Sequence, residues 1–212
     1  MSVENLPKKI AIFPLSNEVL FPKTILPLNI FEERYIQLIN DCMKGQRLFG
    51  MTQPKSKSFS KPEIYEVGCL GKIVSFNETN DKRFLITLSG ITRFRIIEEL
   101  TTDKMYREFN VNYSDFNEDI DANKNNIQEG DIKNLLNKIK FFLEKKNYVI
   151  EFKELKKLNY YQLINTLCVI SPFSLEEKQK LVETITIKER LKVLEEITNF
   201  NLFDGFESKT VQ

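Results

Sequence analysis

Ile10-Ala11-Ile12-Phe13-Pro14-Leu15-Ser16-Asn17-Glu18-Val19-Leu20-Phe21-Pro22-Lys23-Thr24-Ile25-Leu26-Pro27-Leu28-Asn29-Ile30-Phe31-Glu32 reads as two short strands around an apolar loop, opening into a helix. Pro14 lacks a ladder donor and suits the end or edge of the first strand. Ser16 and Asn17 supply turn chemistry. Leu26, Leu28 and Ile30 alternate along the second strand. Tyr35, Leu38, Ile39, Cys42 and Met43 then recur at the spacing of one helix face, and Lys44-Gly45 ends the helix. Val19, Leu20, Phe21 and Pro22 stand where loop residues are expected to be polar. Either this loop tucks into the core, or it offers an apolar surface to a partner.

Outward from that unit, strands continue. Arg47–Thr52 is short and apolar. Gln53–Glu63 holds two prolines, three serines and three lysines and reads as a loop. Its basic charge with Phe59 suits a phosphate backbone or an acidic peptide, or else Phe59 is one apolar anchor in a solvated loop. Tyr65–Phe76 carries Gly68 and Gly71, which mark bulges or close backbone approach. Asn77–Lys82 is a polar hairpin tip. Phe84, Ile86 and Leu88 alternate with Leu85, Thr87 and Ser89, and Gly90 allows a tight bend. Arg93 and Arg95 oppose Phe94 and Ile96, while Phe109, Val111 and Tyr113 share one face. Several short strands around one helix predict a small, strongly bent sheet or partial barrel.

From Ser114 to Gly130 the chain turns to Asn, Asp and Glu and reads as a linker. Beyond it the pattern is helical. Ile132, Leu135, Leu136, Ile139, Phe142 and Leu143 form an apolar stripe. Asn159 with Gln162, Ser174 with Glu177, and Thr186 with Glu189 each have capping-box spacing, and Pro172 forces a break. The expected architecture is α+β: a β-rich domain over 1–115, a polar linker over 116–130 and a helical bundle over 131–212. Phe200, Phe203 and Phe206 in the tail either pack back or stand exposed for docking.

Composition removes several kinds of chemistry. No histidine occurs among the 212 residues, which excludes Ser-His-Asp and Cys-His catalysis. Cys42, Cys69 and Cys168 are far apart and read as core residues, with no metal-site spacing. Lys plus Arg is 31 against 30 Asp plus Glu, so no global field draws the chain to nucleic acid or acidic membrane. Neither a phosphate loop nor a nucleophile elbow occurs, so no catalytic residue, metal or cofactor is expected. The amino terminus lacks a signal pattern and no run is long enough to span a bilayer. A soluble, cytoplasmic protein is expected.

Phe13-Pro14-Leu15, Phe21-Pro22, Pro27-Leu28 and Ile30-Phe31-Glu32 with Arg34-Tyr35 stand at the spacing F-P-L-x(5)-F-P-x(4)-P-L-x-I-F-E-x-R-Y. In this the chain resembles the amino-terminal, substrate-binding domain of Lon proteases, most closely the small stand-alone bacterial proteins made only of that domain. Gly68–Ile73, Leu88–Ile96, Tyr106-Arg107, Ser171–Leu181 and Glu189-Arg190-Leu191 are similar too, so the resemblance covers about residues 8 to 198. It implies a bent β pseudo-barrel related to PUA-like folds, followed by a helical bundle. It further implies recognition of unfolded client proteins or peptides, with a protease or chaperone as a second partner. The chain ends before the ATPase and protease modules of full-length Lon, so a non-enzymatic binding role is expected. Leu20, Phe21, Pro22 and Phe59 are the expected peptide contacts. On that reading a polar residue at Phe21 weakens capture and leaves the fold intact. The alternative is RNA binding by a PUA-like half, through Arg93, Arg95 and the lysines at 55, 57 and 61.

Overall fold

The computed structural model describes residues 5–16, 18–55, 61–120 and 127–207, with the backbone alone at 204–207. It divides into two compact units, Met1–Asp121 and Ala122–Gln212.

The first unit holds β1 (Lys9–Pro14), β2 (Ile25–Ile30), α1 (Glu33–Met43), β3 (Leu48–Thr52), β4 (Val67–Glu78), β5 (Phe84–Leu100) and β6 (Arg107–Asn112). Their order in the sheet is β2-β5-β4-β3-β1-β6. β1 and β3 are parallel, as the intervening β2–α1 crossover requires, and the other pairs are antiparallel. β5 is long enough to serve three neighbours, β2 along Phe84–Ser89 and two more. It pairs β4 over Phe84–Arg95 and β6 over Arg95–Leu100. The sheet therefore rolls up into a bent pseudo-barrel, with β2 as an outlying strand.

Rolling gives the sheet an inside. Tyr35, Leu38 and Ile39 of α1 join Leu26, Ile30, Phe84, Ile86 and Leu88 in one buried cluster, as the periodicities of both elements predict. A second cluster gathers Ile10, Ile12, Leu70, Phe94, Phe109 and Val111. Cys69 and Cys168 are buried, while Cys42 is half-buried at the edge of the first cluster. The ladder shifts register between Ile73 and Ser75 and between Ile96 and Glu98. The extra residues there, Val74 and Ile97, are turned to solvent.

Two expectations change here. β5 continues through Gly90 as one strand, and its ladder to β4 shifts register beside the glycine, between Gly90 and Thr92. The glycine is needed because the Phe21 carbonyl lies against it, and a Cβ would overlap that oxygen. The start of the expected linker also belongs to the first unit. Ser114–Asp119 is a 3-10 helix with Phe116 and Asp119 fully buried. One buried aromatic ring and one buried, ion-paired carboxylate anchor a segment whose polar composition suggested solvent.

The second unit comprises α2 (Glu129–Lys145), α3 (Phe152–Leu155), α4 (Tyr160–Ile170), α5 (Leu175–Glu183) and α6 (Ile187–Glu207). All three cap signals act at helix starts. Asn159 accepts from the Gln162 N–H at 2.9 Å. Ser174 with Glu177, and Thr186 with Glu189, form reciprocal boxes. Replacing Ser174 by Ala is expected to cost about 1 kcal/mol in chemical denaturation, because it leaves a first-turn N–H without its acceptor. Lys138 bonds Glu195 and Lys145 bonds the Leu202 carbonyl at the same sequence offset, so α2 and α6 run side by side in one direction. Arg190 is buried at the centre, where Asn165 Oδ1 and the Leu181 and Thr184 carbonyls accept from it. The phenylalanine tail continues α6, with Phe200 and Phe203 exposed, and the Phe206 side chain lies outside the described residues.

Candidate functional site

Leu20, Phe21 and Pro22, expected as peptide contacts, are interior residues. Phe21 is 0% exposed and Leu20 2%, and Pro22 is buried too. Their loop is a clamp. The Thr24 hydroxyl donates to the Phe21 carbonyl at 2.7 Å and accepts from the Phe21 N–H at 3.2 Å. Lys23, at φ 61°, donates its N–H to the Gly90 carbonyl at 2.8 Å. The apolar loop thus fills the core and fixes where β2 begins. Phe59 lies outside the described residues.

What the loop positions is an apolar surface on β2. Leu26 and Ile30 turn inward, so their neighbours Ile25, Pro27 and Asn29 turn out. Ile25 is 63% exposed and Phe31, just beyond the strand, 62%. On β5, Leu85 is 43% exposed and pairs with Asn29. That register sets Leu85 diagonally between Pro27 and Phe31, within reach of both. Thr87 pairs with Pro27 and Ser89 with Ile25, so the ground between the apolar side chains is small and uncharged. Arg83 lies over the Phe31 ring at 5.7 Å.

A second region is polar. A cleft of about 500 Å³ is lined by Lys61, Glu99, Lys104, Met105 and Arg107. Arg107 donates to Glu99 through Nε at 3.0 Å and Nη2 at 2.9 Å, and Lys61 joins the same carboxylate at 3.0 Å. The Arg107 hydrogen bond leads in holding the Glu99 carboxyl below its ordinary range. Tyr106 donates to Asp41 at 3.0 Å, and burial, first of several causes, pushes its hydroxyl up to about 12. Burial likewise pushes the nearby Cys42 thiol up to about 12, so it is protonated and a poor nucleophile at neutral pH.

The strand arginines, among them Arg93 and Arg95 of the RNA-binding alternative, are each matched to a carboxylate. Arg93 is buried with Asp119, Arg95 pairs with Asp115 at 2.9 Å, and Arg107 holds Glu99. Lys55 and Lys61 pair with Glu63 and Glu99, and Lys57 lies outside the described residues. Among the described residues no cluster of acidic and cysteine side chains could hold a metal ion. No helix there is long and apolar enough to cross a membrane.

Comparison with known proteins places this geometry. Residues 9–199 match the family described as ATP-dependent protease La (LON) substrate-binding domain. The chain belongs to the Lon substrate-binding domain family. It is 28% identical to a Lon protease of Dictyoglomus thermophilum over 89% of its own length and 24% of the relative's. With a Lon protease of Malacoplasma penetrans it shares 31% identity over 82% of its length and 23% of the relative's. It thus spans about a quarter of the length of the curated relatives it matches. Two solved structures share the fold. One is a Lon N-terminal domain protein from Xanthomonas campestris, with TM-score 0.62, 22% identity, and coverage of 88% of this chain and 96% of that one. The other is the N-terminal domain of a Mycobacterium avium complex Lon protease, with TM-score 0.63, 14% identity, and coverage of 91% and 98%. The expected fold, a bent sheet followed by helices, is the observed one.

Proposed function

We propose that this chain is a non-enzymatic module that captures apolar segments of unfolded client proteins on the outer face of β2 and β5. The observation that carries the reading is the set Ile25, Pro27, Phe31 and Leu85. These are apolar residues held in solvent by a strand at the outlying end of the sheet, with no charged residue in the ladder positions between them. Each large side chain that a client covers contributes about 1.5–3 kcal/mol. After the cost of association only weak, reversible binding remains. That suits capture before transfer to a protease or chaperone, the second partner of the reading. Family membership supports a substrate-binding role, and the lack of histidine supports a binding rather than a chemical one. The RNA alternative finds no support in the arginines, each of which is already matched to a carboxylate.

The test is Ile25→Asp and Leu85→Asp, separately and together, read by fluorescence anisotropy with reduced, carboxymethylated α-lactalbumin as client. Each single change is expected to weaken capture about tenfold, the equivalent of one lost apolar anchor. Melting temperatures should fall only slightly, because Ile25 is 63% exposed and Leu85 43%. Undiminished capture by the double variant removes this face from the account.

A further inference from the structure

β2 offers more than side chains, because among the described residues it is an edge strand with β5 as its one neighbour. Which of its backbone groups face the open side follows from the ladder. Gly90 donates its N–H to the Thr24 carbonyl at 2.9 Å, so Thr24 points its backbone at β5. In an antiparallel pair this alternates. Leu26, Leu28 and Ile30 therefore also bond toward β5, and Ile25, Pro27 and Asn29 point away. Pro27, which has no N–H to give, falls on the open side, where its lack costs the sheet nothing. Among the described residues no hydrogen bond from outside the β2–β5 pair reaches the backbone of Ile25, Pro27 or Asn29. The N–H groups of Ile25 and Asn29, and the carbonyls of Ile25, Pro27 and Asn29, are left to solvent.

Charge gives this edge a direction. At the Ile25 end stand Lys23 and Lys72, the latter paired in the ladder with Ser89, which itself pairs with Ile25. At the far end stand Glu33 and Glu78, the latter paired with Phe84 opposite Ile30, while the cations there, Arg34 and Arg83, are engaged by Glu32 at 2.7 Å and Asp81 at 2.8 Å.

We propose that a client segment is held as an added β-strand along β2, antiparallel to it, with its basic end toward Glu33 and Glu78 and its acidic end toward Lys23 and Lys72. This rests on the client-binding reading above and specifies how the client is recognised. Main-chain bonds to Ile25, Pro27 and Asn29 supply affinity that does not depend on sequence, while Ile25 and Phe31 favour apolar side chains at alternate client positions. A binder of many unfolded chains needs that division, since extended backbone is what unfolded chains share.

The experiment is residue-resolved amide hydrogen exchange on the full chain, with and without the blocked peptide Lys-Thr-Val-Thr-Phe-Thr-Val-Glu at saturation. Exchange at the Ile25 and Asn29 amides is expected to slow at least tenfold on binding. If the peptide binds and both amides exchange as before, capture runs through side chains alone; the strand proposal is then overturned and the client-binding reading stands. If the peptide does not bind, both fall. Protection that appears without peptide and grows with protein concentration assigns the edge to a second copy of this chain, and overturns the proposal too.

Discussion

Replacing Asp119 by Ala should lower the stability of the first unit by about 3–5 kcal/mol, the cost of removing one partner of a buried ion pair. Asp119 and Arg93 are 0% and 1% exposed. The Asp119 carboxylate accepts from the Arg93 backbone N–H at 2.8 Å, from Nε at 2.9 Å and from Nη2 at 2.8 Å. The guanidinium also lies 4.4 Å from the centre of the Phe116 ring. Alanine strips two hydrogen bonds from a guanidinium that the surrounding fold keeps from water, and a third from the Arg93 backbone N–H. Asn at 119 keeps one acceptor oxygen and should cost less than Ala. The paired change Arg93→Met with Asp119→Leu should recover much of the loss, because it removes both charges and fills the space. Urea denaturation followed by circular dichroism measures all three. A loss below 1 kcal/mol for Asp119→Ala would show that the 114–119 turn opens at little cost and that the pair is not the lock between that turn and β5.

The same pair marks where the sequence stops being informative. Alternation in 84–96 correctly assigns Phe84, Ile86, Leu88 and Phe94 to the interior. It also puts Arg93 on the opposite face, and composition then reads that face as solvent. The face is covered instead by a turn 26 residues later, whose one buried aromatic and one buried carboxylate do not stand out among Asn, Asp and Glu. Local signals fared better. The three cap signals depend only on neighbours three residues apart and lie at helix starts. The outward apolar set was partly legible, since Leu26 and Ile30 facing in forces Ile25, Pro27 and Phe31 out, and a strand proline suits an edge. That β2 is the outlying strand was not legible, because pairing order depends on contacts far apart in the chain. Nor could composition separate the apolar loop at 19–22 from an apolar surface. The difference lies in Gly90, 69 residues from Phe21, which gives the loop a place to lie down.

Phe21→Ala should destabilise the first unit by about 3–5 kcal/mol through the cavity left by a fully buried ring. Phe21→Ser should cost at least as much, since it adds a buried hydroxyl in need of a partner. Neither change touches the outer face. Below the lowered melting temperature, the folded fraction of Phe21→Ala should therefore bind carboxymethylated α-lactalbumin with the parent affinity. Ile25→Asp should do the reverse and stay close to the parent melting temperature while losing about tenfold in affinity. The two variants together separate a residue that builds the strand from one that meets the client. Buried position and clamped carbonyl place Phe21 in the first role: its oxygen accepts from Thr24 and abuts Gly90, and its ring never reaches water. A Phe21→Ala protein that melts normally and binds weakly would reverse the assignment. It would mean that the loop swings out in solution and that residues 19–22, not the β2–β5 face, meet the client.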